Sequence, residues 1–330
     1  MDAAWVPDVL GRPFEQATLE LGEDDEGPVV ATLVRSIPPW YARAGRPLAD
    51  VDVLYVHGWS DFFFQTGLAA FWNRLGARFY ALDLRKYGRS LRPGQTPGYV
   101  TSLDDYDADI AAARDAMGRG RDAARRLVLM GHSTGGLTLT LWAARHPGIA
   151  SALVLNSPWL ELQLGAFGRQ AIAPLIGVRA RFDPRGAHPA VDLGYYTRAQ
   201  REIGTLPARD EAATWRPERG FPTHPGWLAA IVAGQRTIAT GVDVACPVLV
   251  LLSARSSSAF EWSDASMAAD TVLVVDEIAR SATRIAKLVT ICRIDGAIHD
   301  VFLSRTAPRT EAYRVLEGWM RGLGRQPSRR

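Results

Sequence analysis

The chain has 330 residues, of which 47% are hydrophobic, enough for one large folded core or two smaller ones. Its 38 basic and 35 acidic residues leave a formal net charge of +3, and no cluster of basic residues predicts a nucleic-acid-binding face. No apolar run reaches the roughly 18 residues that span a bilayer, and the N-terminus does not read as a signal peptide. We therefore expect a cytoplasmic protein without an integral membrane segment.

Apolar, strand-like runs alternate with helical patterns along most of the chain. Strands are predicted at 14–21, 29–35, 51–57, 79–84, 126–130, 152–156, 247–252 and 289–294. Helices are predicted at 67–75, 103–117, 134–145, 226–239, 274–286 and 309–323. The first two strands read as a hairpin closed by an acidic turn, and the alternation that follows favours an α/β fold. We expect a mostly parallel eight-stranded sheet flanked by helices.

The alternation stops between residues 158 and 223. Prolines, glycines and scattered aromatic side chains, among them Trp159, replace the clean strand and helix patterns there. We interpret this segment as a helical cap inserted into the sheet domain. The core domain would then consist of residues 1–157 and 224–330.

A turn near the middle of the chain carries the strongest chemical signal. An apolar strand ends in Gly131-His132-Ser133-Thr134-Gly135, and a helical pattern follows at once. Such a strand-to-helix turn strains the backbone of its central serine and lifts the hydroxyl clear of the sheet. Gly131 and Gly135 are expected because a side chain at either place would collide with the neighbouring strand or helix. The N–H of Thr134 would face the same space from a helix N-terminus, where positive partial charge collects.

A serine hydroxyl at neutral pH is a poor nucleophile. It needs an adjacent base, and the base needs a third group that fixes its tautomer. Of the six histidines, His299 is the predicted base, because it follows the last predicted strand at the sheet edge where ligand sites collect. His57 is predicted to orient its own turn rather than to act as a base.

In this chain order the acid should lie between the serine and the histidine, in the loop after strand 247–252. That loop contains Glu261, Asp264 and Asp270. Asp270 is the favoured acid because it stands just before a predicted helix, from where a carboxylate can turn back toward a histidine. Asp264 stays open as an alternative, and an ordinary helix N-cap is the competing interpretation of Asp270.

The turn after strand 51–57 is predicted to complete an anion site. Gly58 allows the backbone to swing so that the N–H of Trp59 faces the N–H of Thr134, which gives two donors for an oxyanion. Three phenylalanines follow, for which core packing and lining of an acyl pocket both stay open. The residues predicted to line the substrate pocket are His57, Phe63, His132 and Trp159.

No cofactor and no metal are predicted. The segment 118–123 has the Gly-x-Gly-x-x-Ala spacing of a dinucleotide site, but it follows a helix rather than a strand and arginines surround it. No cluster of Cys, His and Asp has the spacing of metal ligands. The oligomeric state is left open.

Together these motifs resemble those of the α/β-hydrolase superfamily. The similarity rests on the turns at Gly58 and Ser133, on the loop 296–300 around His299, and on segment 83–90, which is similar to the superfamily's Asp-x-Arg-Gly-x-Gly-x-Ser turn. It extends over nearly all of the chain except the cap, and the most similar branch is that of the lysophospholipase and monoacylglycerol lipase-like hydrolases. The usual Gly-x-x-Asp-x-x-Val segment before the acid is missing, and a longer loop replaces it.

The resemblance implies an α/β-hydrolase fold and a serine hydrolase for carboxylic esters with an apolar acyl group, such as a monoacylglycerol or a lysophospholipid. Ser133 would be the nucleophile, His299 the base and Asp270 the acid, with the N–H groups of Trp59 and Thr134 as oxyanion donors. The implied partner is a small-molecule ester. An aminopeptidase-type enzyme or an acyltransferase on the same triad is the alternative, and a non-catalytic binding protein is a further one.

Overall fold

The computed structural model describes residues 3–118, 125–162, 176–186, 194–206, 214–258 and 261–323. A single nine-stranded sheet forms its centre. The strands are β1 (Val6–Pro7), β2 (Glu15–Asp24), β3 (Gly27–Ser36), β4 (Val51–Val56), β5 (Arg78–Asp83), β6 (Arg126–His132), β7 (Ala152–Asn156), β8 (Val248–Ser253) and β9 (Val289–Ile294).

The strands lie in the order β1-β2-β3-β5-β4-β6-β7-β8-β9. The first three strands and the β3–β5 pair are antiparallel, whereas the remaining pairs, from β5 to β9, are parallel. The predicted mostly parallel sheet is therefore confirmed, but the predicted count of eight strands is wrong. The additional strand, β1, has two exposed residues and one of them is proline, so no apolar pattern marks it. Its pairing with β2 alone makes it a strand.

The helices are α1 (Trp40–Arg43), α2 (Thr66–Arg74), α3 (Tyr106–Ala116), α4 (Thr134–Arg145), α5 (Tyr195–Ile203), α6 (Pro225–Thr240), α7 (Val275–Ala282) and α8 (Thr306–Leu323). The helix predicted from residue 103 begins as a 3₁₀ turn, Leu103–Asp105, with a capping box between Ser102 and Asp105. The helix α7 ends four residues before its predicted end. The reason is that the carbonyls of Arg284 and Ile285 accept hydrogen bonds from a neighbouring loop.

Helices cover both faces of the sheet, so the apolar core has two parts. One part contains side chains of α3, α4, α6 and α7, and the other contains side chains of α2 and α8. Along β6, Leu127 and Leu129 belong to the first part, while Val128 and Met130 belong to the second. Because both faces of the central strands β4 to β8 are covered, these strands are mostly apolar, and their polar side chains lie at or near the strand ends.

The described residues include parts of the predicted cap at 158–223, namely α5 and a helical stretch at 176–182. Residues 163–175, 187–193 and 207–213 of that segment lie outside the described residues, as do residues 119–124 of the dinucleotide-like segment. The division into core and cap stays a prediction. Among the described helices, none is both long and apolar enough to cross a bilayer. The cytoplasmic location also stays a prediction.

Candidate active site

The candidate site lies at the carboxyl ends of two central strands, β4 and β6, which are neighbours in the sheet. The chain passes from β4 to β5 on one side and returns to β6 on the other side of β4. At such a point of reversed strand order, the loops leave in opposite directions and open a crevice. The turn at Gly58 follows β4 and the turn at Ser133 follows β6, so the topology brings these two turns together.

The turn that carries Ser133 is strained and tightly packed. Ser133 has φ +50° and ψ −116°, a conformation that is unfavourable for a residue with a side chain. A Cβ on Gly131 would lie 2.7 Å from the carbonyl oxygen of Gly135. A Cβ on Gly135 would lie 2.5 Å from the carbonyl oxygen of Val56 and would also strike the carbonyl of His57. The turn can adopt this shape only because both positions are glycine.

The turns at Gly58 and Ser133 each carry a backbone N–H group that has no acceptor within the described part of the chain. A Cβ on Gly58 would lie 3.1 Å from the Cβ of Ser133, so the turn after β4 passes directly beside the serine. Among the hydrogen bonds of the described residues, none is donated by the N–H of Trp59 or of Thr134. Thr134 is the first residue of α4, where the N–H groups carry the positive end of the helix dipole. Both donors can therefore serve a negatively charged oxygen.

His299 is held by a buried carboxylate. The imidazole is 2% exposed, and its Nδ1–H donates to Oδ2 of Asp270 at 2.9 Å. The second carboxylate oxygen of Asp270 accepts from the N–H groups of Val272 and Leu273, at 2.8 Å each. Both oxygens of the carboxylate accept hydrogen bonds, so the proton of the imidazole stays on Nδ1, the nitrogen that faces Asp270. Nε2 is then the nitrogen that can accept a proton.

The residue that contacts His299 is Asp270 and not Asp264. The loop after β8 is long, but it returns to its own beginning. The N–H of Asp270 donates to Arg255 at 3.0 Å, and its carbonyl accepts from Ser257 at 2.8 Å. Asp264 lies in an exposed 3₁₀ turn. The fold therefore returns a carboxylate to the end of β8, although the local motif expected there is missing.

Two further histidines support the turns around the serine. His132 donates from Nδ1 to the carbonyl of Asn156 at 3.1 Å, and its ring centroid lies 4.8 Å from that of His299. Burial lowers the pKa of His132 to about 4, so its ring is neutral. His57 donates to the carbonyl of Gly58 at 2.7 Å and accepts from Leu84 at 3.2 Å. Burial also lowers the pKa of His57. With both nitrogens engaged, His57 orients its turn.

An aromatic wall surrounds the turns at Gly58 and Ser133. The backbone N–H of Trp159 donates to the backbone carbonyl of Ser133 at 3.0 Å, so Trp159 is held against the nucleophile turn. Trp227 lies 3.7 Å from Trp59 and 6.1 Å from Trp159, measured between ring centroids. Trp227 was not predicted from the sequence, because the helical pattern around it does not show which neighbouring element its indole faces.

The structure places Phe63 away from the predicted pocket. Phe63 is fully buried in the sheet core and packs against Tyr55 and Phe79, with ring centroids 5.9 and 5.3 Å apart. Its two neighbours, Phe62 and Phe64, belong to a separate cluster that also contains Ile298 and Tyr196. Successive side chains of an extended backbone point in opposite directions. Phe63 therefore packs into the core, whereas the phenylalanines on either side of it approach the loop of His299.

Four buried polar residues near these turns were given no role from the sequence. Asp61 forms an ion pair with Arg216 at 3.1 Å, and burial raises the pKa of Asp61 to about 7. Asn156 at the end of β7 forms a hydrogen bond with Asp300, the residue after His299. No local pattern marks these residues, because both pairs join segments that are distant in the sequence.

Comparison with known proteins gives relatives of several activities. The curated relatives include "Lysophospholipase L2" of Escherichia coli K12, which is 30% identical over 200 residues, covering 54% of this chain and 55% of the relative. "Epoxide hydrolase 4" of Mus musculus is 33% identical over 115 residues, covering 34% of this chain and 29% of the relative. The chain thus spans about half the length of the lysophospholipase that it matches.

Solved structures with the same fold include two lipases and an esterase. The monoacylglycerol lipase of Paleococcus ferrophilus has a TM-score of 0.59 at 20% identity, covering 82% of this chain and 94% of that one. A soluble variant of monoglyceride lipase from Saccharomyces cerevisiae, in complex with a substrate analogue, has a TM-score of 0.68 at 13% identity, covering 93% and 96%. The carboxyl esterase of Bacillus coagulans has a TM-score of 0.66 at 15% identity, covering 94% and 99%.

At these identities the solved structures establish the fold, which is that of the α/β-hydrolases. The family comes from the sequence itself. The family model described as "Serine aminopeptidase, S33" (Hydrolase_4) matches residues 49–257, which is more than half of the chain. This range includes the turns at Gly58 and Ser133, and it ends in the loop after β8. The protein therefore belongs to the Hydrolase_4 family of α/β-hydrolases.

Proposed function

We propose that the protein is a carboxylic-ester hydrolase in which Ser133, His299 and Asp270 form a catalytic triad. The observation that carries this proposal is the pairing of His299 with the buried carboxylate of Asp270 at 2.9 Å. It gives the imidazole the tautomer that a general base requires. The strained backbone of Ser133 at φ +50°, at the end of the central strand β6, supports the serine as nucleophile.

In the proposed mechanism, the Ser133 oxygen attacks the acyl carbonyl while Nε2 of His299 takes the hydroxyl proton. The tetrahedral intermediate then collapses, and His299 returns the proton to the departing alcohol. Water enters, gives its proton to His299 and attacks the acyl-enzyme, which releases the carboxylic acid and restores the serine. Asp270 stays ionised throughout and stabilises the imidazolium that forms in both steps.

The oxyanion of each tetrahedral intermediate would be bound by the N–H groups of Trp59 and Thr134. Neither donates a hydrogen bond within the part of the chain that the structure describes. One donor of this kind contributes about 10²–10³ in kcat. The Ser133 hydroxyl likewise forms no hydrogen bond with His299 among the described residues, and such contacts often tighten only when substrate binds.

For the substrate we propose an ester with an apolar acyl group, of the monoacylglycerol or lysophospholipid type. Trp59, Trp159 and Trp227 form an apolar wall beside the nucleophile turn, which suits a hydrocarbon chain better than a charged group. The similarity to a lysophospholipase and to two monoacylglycerol lipases supports the same class of substrate.

An aminopeptidase is the second candidate, because the family description names that activity. Such an enzyme needs a carboxylate to bind the ammonium group of its substrate. Asp61, which follows the proposed oxyanion turn, is neutralised by Arg216 at 3.1 Å. In the predicted cap, Glu161 accepts a hydrogen bond from the hydroxyl of Ser281 at 2.5 Å, Glu202 is exposed and faces Arg198 at 3.7 Å, and Glu211 lies outside the described residues. The pairing of Asp61 and Glu202 with arginines favours the ester hydrolase.

The two candidates are separated by comparing p-nitrophenyl esters of several acyl lengths with aminoacyl p-nitroanilides. We expect ester hydrolysis that increases with acyl length and is abolished in Ser133→Ala. A fluorophosphonate probe should label the wild type and the control Cys246→Ala, which removes a half-buried free thiol, but not Ser133→Ala. Faster turnover of the anilides would favour the aminopeptidase. Absence of labelling in the folded wild type would refute the triad altogether.

A further inference from the structure

A buried residue at the end of β7 contacts both the turn of Ser133 and the loop that follows His299. Asn156 is the last residue of β7 and is 1% exposed. Its backbone carbonyl oxygen accepts hydrogen bonds from the N–H of Ser133 and from the Nδ1–H of His132, at 3.1 Å each. The backbone of Asn156 therefore holds the turn that carries the nucleophile.

The side chain of Asn156 holds the loop that carries the histidine. Its Nδ2 donates to Oδ1 of Asp300 at 2.7 Å, and its Oδ1 accepts the N–H of Val301 at 3.2 Å. These two residues directly follow His299, and both are buried. Oδ1 of Asp300 also accepts the N–H of Phe302 at 2.9 Å. The hydrogen bond from the Asn156 side chain therefore reaches a loop that is already ordered around this carboxylate.

A second side chain contacts Asp300, but more weakly. Nε2 of Gln65 lies 3.4 Å from Oδ2 of Asp300, near the limit for a hydrogen bond, and also donates to the hydroxyl of Tyr55 at 3.2 Å. The bond from Asn156 is shorter and is reinforced by the contact with Val301. Of the two side chains that connect Asp300 to the sheet in this way, Asn156 therefore makes the stronger contact.

We propose that Asn156 is a positioning residue, which sets the separation between the Ser133 hydroxyl and the His299 imidazole through Asp300 and Val301. This inference rests on the proposed function, because the separation matters only if these two groups exchange a proton. Asn156 itself contacts neither substrate nor reacting atoms. An amide is required because one end must donate to a carboxylate while the other accepts from a backbone N–H. Displacement of a catalytic group by about 1 Å can cost about 10²-fold in rate.

Three variants test the proposal. Asn156→Ala removes both side-chain hydrogen bonds. Asn156→Asp keeps the acceptor for Val301, but it can donate to Asp300 only while the two carboxyl groups share one proton. Thr140→Val is the matched control, because Thr140 is also fully buried and, among the described residues, its hydroxyl donates only to the carbonyl of Gly136 within α4.

The variants should differ in kcat and in pH profile. Asn156→Ala should lower kcat about 100-fold with KM changed by less than about threefold. In Asn156→Asp, kcat should fall with rising pH through an ionisation that the wild type lacks, as the shared proton is lost. Thr140→Val should keep kcat within about threefold of the wild type. A merely structural role of Asn156 would not add an ionisation to the profile.

Folding of each variant is checked by near-ultraviolet circular dichroism, and Asn156→Ser replaces the alanine variant if that one does not fold. A folded alanine or serine variant with kcat within about threefold of the wild type would overturn the proposal. A profile of Asn156→Asp that runs parallel to that of the wild type would also overturn it. Failure of the proposed function looks different, because the wild type itself would then neither cleave esters nor react with the fluorophosphonate.

Discussion

Replacing Asp270 with asparagine tests the proposed triad with minimal disturbance of the fold. The asparagine keeps the carbonyl oxygen that accepts the N–H groups of Val272 and Leu273, each at 2.8 Å. The oxygen that faces His299 at 2.9 Å becomes an NH₂ group, which meets the Nδ1–H of the imidazole donor to donor. The imidazole must then carry its proton on Nε2, and a protonated Nε2 can no longer accept the proton of the Ser133 hydroxyl.

This change of tautomer should lower kcat by about 10³–10⁴, which corresponds to about 4–5 kcal/mol of transition-state stabilisation. Stability should change far less, because the two backbone hydrogen bonds remain. We would measure kcat and KM with a p-nitrophenyl ester, and the free energy of unfolding in urea.

Asp264→Asn is the matched control for this experiment. Asp264 lies in the same loop and was the alternative acid, but it is exposed in a 3₁₀ turn. Its replacement should leave kcat unchanged within about twofold. The reasoning would be refuted if Asp270→Asn folded normally and kept kcat within about tenfold of the wild type, or if Asp264→Asn lost activity instead.

Three further predictions follow from the geometry around the site. Gly58→Ala places a methyl group 3.1 Å from the Cβ of Ser133, so the turn must shift and kcat should fall about tenfold, measured with the same ester. Phe63→Ala should cost about 3–5 kcal/mol of unfolding free energy in urea with KM unchanged, and a raised KM in a folded variant would place Phe63 in the pocket after all. Because burial raises the pKa of Asp61 to about 7, the folded protein keeps a proton that the unfolded chain has released above about pH 4. Its contribution to stability should therefore fall by up to about 4 kcal/mol between pH 4 and 7, and urea titrations of Asp61→Asn should lack this slope.

Much of the fold, and the turns that carry Ser133 and His299, could be predicted from local pattern. Eight strands are visible from local pattern, most clearly the central parallel strands, because strands buried on both faces need mostly apolar side chains. The turn at Ser133 is visible because the two glycines that its close packing requires, Gly131 and Gly135, lie within five residues of each other. The strand β1 was not visible, because two exposed residues become a strand only through pairing.

Only the tertiary structure decided which distant residues meet these turns. The sequence favoured Asp270 over Asp264 only because it precedes a predicted helix, whereas the loop that returns Asp270 to the end of β8 brings its carboxylate to His299. Phe63 was predicted to line the pocket, with core packing as the alternative, and the structure buries its side chain in the sheet core. Asn156 and Asp300 are 144 residues apart, and no pattern within a few positions can report a hydrogen bond over that separation. Neighbouring residues determine the elements, whereas contacts between remote strand ends determine the site.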